Sequence, residues 1–103
     1  MNLYLDNSNV IELRELTNSA TGAADTGATV TVTLLDSDDA EVAGQTWPVS
    51  MPHVSGGTYR ATLSADLVLS DSAWYFAVVE ATGSGAQVGK WRCAVRADVR
   101  ECR

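Results

Sequence analysis

Residues 28–35 read ATVTVTLL, and this alternation restricts the chain more than any other stretch. Ala28, Val30, Val32 and Leu34 fall on one side of an extended backbone, and Thr29, Thr31 and Thr33 on the other. A period of two with β-branched residues in both sets describes a pleated surface buried on one face, and no helix can present it. Three more segments repeat the signal. In 58–63, Tyr59, Ala61 and Leu63 alternate with Thr58, Arg60 and Thr62, so Tyr59 reads as a ring packed in a core. In 74–81, Tyr75, Ala77, Val79 and Ala81 alternate with Trp74, Phe76, Val78 and Glu80. In 90–97, Trp91, Cys93, Val95 and Ala97 form the apolar set, against Lys90, Arg92 and Arg96.

Between these segments lie clusters of turn-forming residues. Residues 18–27 (NSATGAADTG) read as a loop, 36–41 (DSDDAE) as a turn, 52–57 (PHVSGG) as a loop holding the only histidine, His53, and 81–89 (ATGSGAQVG) as a connection. Residues 10–17 are expected as a strand, and 1–9 as an arm or a first edge strand. Residues 42–51 place Trp47, Val49 and Met51 at period two, but Pro48 has no N–H for a ladder. That strand is therefore expected at an edge or interrupted. About seven short strands without a long helix predict an all-β domain, an immunoglobulin-like β-sandwich, with a small barrel as the competing closure. The expected organisation is one domain over residues 1–103.

The stretch 56–83 carries the joint of that sandwich. Leu69 and Tyr75 stand six residues apart across Ser70-Asp71-Ser72. This is the setting of a tyrosine corner, in which a hydroxyl near the start of a strand bonds back to the backbone just upstream and pins the crossing between sheets.

Composition limits the chemistry. The net charge is −6, split as −9 over residues 1–89 (two arginines against eleven acids) and +3 over 90–103 (five cations against two acids). So acidic a body repels phosphate backbones, and no nucleic-acid partner is expected. The N-terminus has no basic, apolar leader pattern and no run approaches a membrane span, so synthesis in a cytoplasm with no membrane partner is expected. Cys93 and Cys102 match no zinc spacing. Both are expected to stay reduced, with Cys93 packed as a small apolar residue. The four carboxylates in 36–41 invite a calcium reading but lack the glycine and distal glutamate of an EF-hand loop, which leaves turn chemistry. His53 has no nucleophile elbow near it, and no glycine-rich phosphate loop is present. No enzyme, cofactor or metal is expected.

If Tyr75, Ala77 and Val79 face the core, Trp74, Phe76 and Val78 face outward. Such a stripe must be covered by the N-terminal segment, by Arg92 stacking from the next strand, or by a partner. With the basic residues Lys90, Arg92 and Arg96, it is the candidate interface, and the charge split suits head-to-tail contact between copies.

Four stretches, LYLDNSNVIELREL, ATVTVTLLDSDDAEVAG, GTYRATL and GKWRCAVRADVR, resemble a group of small tailed-bacteriophage virion proteins. Here Asp38-Asp39-Ala40 stands where those proteins often carry Asp-Gly. The resemblance implies an immunoglobulin-like accessory subunit of the head, head–tail neck or tail. Its partners would be capsid, portal, neck or tail proteins and further copies of itself, in a virion assembled in the host cytoplasm. Two other readings stay open: a carbohydrate-binding or adhesin module using Trp74 or Trp47, and an accessory domain of a bacterial enzyme.

Overall fold

A computed structural model describes residues 2–14, 16, 26–83 and 88–99. Among them there is no helix. The strands are β1 (Asn2–Tyr4), β2 (Asn9–Leu13), β3 (Thr29–Leu35), β4 (Val49–Ser50), β5 (His53–Ser55), β6 (Thr58–Leu63), β7 (Trp74–Thr82) and β8 (Val88–Asp98). They form a five-stranded sheet in the order β1-β8-β7-β3-β4, curled into a half-barrel, and a three-stranded sheet in the order β2-β6-β5. Every pairing is antiparallel except that of β1 with β8.

The period-two pattern decides what each strand buries. From the larger sheet come Val30, Val32 and Leu34 of β3, Tyr75, Ala77, Val79 and Ala81 of β7, Val95 and Ala97 of β8, and Leu3 of β1. From the smaller sheet come Ile11, Tyr59, Ala61 and Leu63, and connections add Val42, Met51 and Leu67. Removing these groups from water is the main favourable term of the fold.

The chain passes between the sheets four times, at β1–β2, β2–β3, β4–β5 and β6–β7, and two of these joints carry the bonds that matter here. After β1, Leu5 still donates to Asp98 O at 3.0 Å, and the backbone then turns into β2 around Asn9. The Asn9 side chain is buried. Its Oδ1 accepts from Tyr4 N–H at 2.9 Å, and its Nδ2 donates to Tyr4 O and Asn7 O, both at 3.1 Å. An amide with both ends satisfied can be buried at little cost. The other of the two links β6 to β7. There the Tyr75 hydroxyl accepts from Ser70 N–H at 2.8 Å, directly after the half-buried Leu69. Ser72 N–H donates to Ala97 O at 2.7 Å and Ala97 N–H to Ala73 O at 2.9 Å, which bind the corner to β8 as well.

Three sequence expectations need correction. The strand expected over 42–51 lies at a sheet edge as its proline implied, but it is shortened to β4. Gly44 sits at φ +106°, a conformation outside strand geometry, and Pro48 follows with no N–H to donate. The loop expected over 52–57 contains β5, so His53 lies on an exposed edge strand. Gly56 and Gly57, at φ +53° and +83°, make the two-residue turn that lets β5 pair with β6. His53 Nε2 accepts from Gly57 N–H at 3.4 Å, and its ring meets Tyr59 edge-on at 5.2 Å.

The third correction concerns β8, where the apolar face is buried only at Val95 and Ala97; Trp91 and Cys93 are exposed. Among the described residues β1 pairs with β8 only at Arg96, Ala97 and Asp98, so the first half of the strand is a sheet edge. Trp91 and Cys93 stand there unflanked, although they pair with the core residues Val79 and Ala77. Cys93 is therefore a free, exposed thiol instead of a packed group, and Cys102 lies outside the described residues.

Candidate functional site

The six residues of the candidate interface share the outer face of the larger sheet. Register places Trp74 opposite Arg96, Phe76 opposite Ala94, Val78 opposite Arg92, and Glu80 opposite Lys90. On the other side of β7, Leu35 neighbours Phe76 and Thr33 neighbours Val78. Alternation along two antiparallel strands is sufficient to bring the six together.

They are not equally available. Trp74 is 55% exposed and Phe76 is half-buried, but Val78 is only 8% exposed, so part of the stripe is covered. The cover comes from the same chain. Arg92 leaves β8 opposite Val78, and its guanidinium carbon lies 4.1 Å from the centroid of the Phe76 ring. It continues to Asp39, with Nη2 to Oδ1 at 2.6 Å. The arginine stem shields apolar surface while its head stays wet and paired.

The basic residues are likewise engaged within the chain. Lys90 Nζ lies 3.3 Å from Glu80, and Arg96 Nε lies 3.2 Å from Asp98 with Nη2 donating to Ser72 Oγ at 3.2 Å. Each cation has a carboxylate beside it, so β8 does not present an unpaired positive stripe. Individually such exposed pairs contribute little to stability, and their local effect is to cancel the field that the sequence charge split suggests. The exposed end of the face is Trp74.

Beside Trp74 opens a groove of about 440 Å³ between the turn after β3 and the corner before β7. Trp74, Val68 and Ala73 line one side, and Asp38, Glu41 and Val42 line the other. The turn is well ordered by its own bonds. Asp36 Oδ1 accepts from Asp38 N–H at 2.8 Å and Ala40 N–H at 3.0 Å, and Asp36 N–H donates to Ala40 O at 2.8 Å. Asp36 is thereby committed to the backbone, as turn aspartates are. Asp39 is committed to Arg92. The carboxylates of Asp38 and Glu41 have no ion-pair or hydrogen-bond partner among the described residues. The groove was not legible in sequence because its two walls are about thirty residues apart along the chain. The only local signals were an outward tryptophan and a carboxylate-rich turn.

Among the described residues no group of three or more His, Cys, Asp or Glu is arranged to hold a metal ion. No helix among them is long and apolar enough to cross a membrane. Comparisons with protein-family models, with curated proteins and with solved structures find no match.

Proposed function

We propose that this chain is an immunoglobulin-like structural subunit that acts by protein–protein assembly and not by catalysis, in a tailed-phage virion. The observation that carries the reading is Trp74. A large indole held more than half exposed on a rigid sheet, at the mouth of a groove, has the character of an interface anchor. The immunoglobulin-like assignment is supported by two sheets with a first-to-last parallel pairing and by the Tyr75 bond at the corner between β6 and β7. The virion setting, in head, neck or tail, is supported by the sequence resemblance alone.

Phe76, Val78 and the cations of β8 form the base of this surface, ordered by Arg92, with Trp74 as its contact point. The test compares the parent with Trp74→Ser, chosen because the exposed indole contributes little to the core. Both should melt alike. Sedimentation velocity of each, alone and with candidate capsid, portal, neck and tail proteins, should show complexes or oligomers for the parent that the variant loses. A folded Trp74→Ser protein that assembles as the parent does would remove Trp74 from the account.

A further inference from the structure

The geometry points to a specific occupant for the groove beside Trp74: a basic peptide segment of the assembly partner, placing an arginine or lysine side chain over the indole with its charge met by Asp38 and Glu41. This deepens the assembly reading and rests on it. Three observations select a cation. The walls pair an exposed aromatic with two carboxylates that have no partner among the described residues. The chain as a whole carries −6, which favours approach of a positive group. The third is an internal precedent, for two residues further along β7 the chain makes the same arrangement with its own groups. There Arg92 lies over Phe76 and is met by Asp39 from the same turn that supplies Asp38. Trp74 does not receive this treatment from its own neighbour, since Arg96 is turned to Asp98 and Ser72.

Chemistry favours the same occupant. Tryptophan is the best of the aromatic faces for a cation, and a carboxylate on the far side satisfies the N–H groups that the ring leaves open. The Arg92–Asp39 bond and the Asp36 turn order the loop that carries Asp38, so little is lost in fixing it on binding. The apolar lining of Val68 and Ala73 suits the aliphatic stem of the incoming side chain.

The test titrates the ¹⁵N-labelled full chain with the capped peptide acetyl-Gly-Arg-Gly-Arg-Gly-amide and with its citrulline counterpart, which keeps the shape and loses the charge. The arginine peptide should shift the Trp74 indole N–H and amides within 36–43 and 68–75, and added salt should reverse the shifts. Citrulline should weaken binding at least tenfold, and so should the double variant Asp38→Asn/Glu41→Gln, whose remaining resonances should stay in place. Shifts scattered over other acidic positions, or equal binding by the double variant, would overturn the proposal. So would a neutral oligosaccharide such as cellohexaose moving the groove resonances where the arginine peptide does not. Sedimentation separates the two levels of the argument. Assembly lost in Trp74→Ser but kept in Asp38→Asn/Glu41→Gln retains the assembly reading and overturns this one, whereas assembly kept in both overturns both.

Discussion

Replacing Tyr75 with phenylalanine tests the corner at which β6 passes to β7 and the chain crosses between the sheets. The ring is buried, and phenylalanine fills the same volume, so the apolar contribution stays. What is lost is the acceptor for Ser70 N–H at 2.8 Å. A hydrogen bond contributes about 1 kcal/mol net, rising to about 1–3 kcal/mol where the orphaned partner stays dry. Ser70 is exposed, so water can reach its amide and the cost should sit near the lower end, about 1 kcal/mol.

Tyr59 is the informative comparison. Its residue is 1% exposed, and its hydroxyl accepts from Ala28 N–H at 3.0 Å, so it is more than the packed ring that its alternation suggests. Ala28 is half-buried, so Tyr59→Phe should cost more than Tyr75→Phe, about 2 kcal/mol. For a domain of this size each kcal/mol lowers Tm by about 4–8 °C. Urea unfolding gives the energies, and amide exchange gives the location. Ser70 should lose protection only in Tyr75→Phe, and Ala28 only in Tyr59→Phe. Unchanged Ser70 exchange, or a loss below about 0.3 kcal/mol at both sites, would refute the reasoning.

Three other perturbations have definite outcomes. Gly44→Ala should destabilise by about 3 kcal/mol or more in urea unfolding, because φ is +106° and a Cβ would stand 2.2 Å from Asp66 O; an unchanged midpoint would contradict that close approach. Asn9→Ala removes the groups bonded to Tyr4 and Asn7 and should cost about 2–3 kcal/mol; a Tm within 2 °C of the parent by about the scaling above would contradict the pivot role. Glu12, hydrogen-bonded by Arg14 and by Arg60, has its carboxyl held below the ordinary glutamate range. A lowered folded-state pKa contributes stability above the unfolded value that is lost as pH falls through the folded value. The gap between the parent and Glu12→Gln should therefore be largest near neutrality and close on the acid side of about pH 4; a gap independent of pH would count against it.

The sequence by itself determined which side of each long strand faces the core. Val30, Val32 and Leu34 point inward, as do Tyr59, Ala61 and Leu63, and Tyr75, Ala77, Val79 and Ala81. This was legible because successive side chains on an extended backbone alternate whatever lies around them. The Asp36 turn was legible for a similar reason, since its bonds span only two to four residues.

Tertiary structure alone decided what covers each face. Alternation put Val78 and Phe76 outward, but only the pairing of β7 with β8 brings Arg92 across them to Asp39, 53 residues away. The same pattern marked Trp91 and Cys93 as inward, yet β1 flanks only residues 96–98 of β8, and the unflanked edge leaves them exposed. β5 has no pattern to read in His53-Val54-Ser55 and exists as a strand through its pairing with β6. The groove beside Trp74 forms where the 36–41 turn and the 68–75 corner meet. A local period tells which way a side chain points; whether protein or water meets it there depends on contacts between residues far apart in the chain.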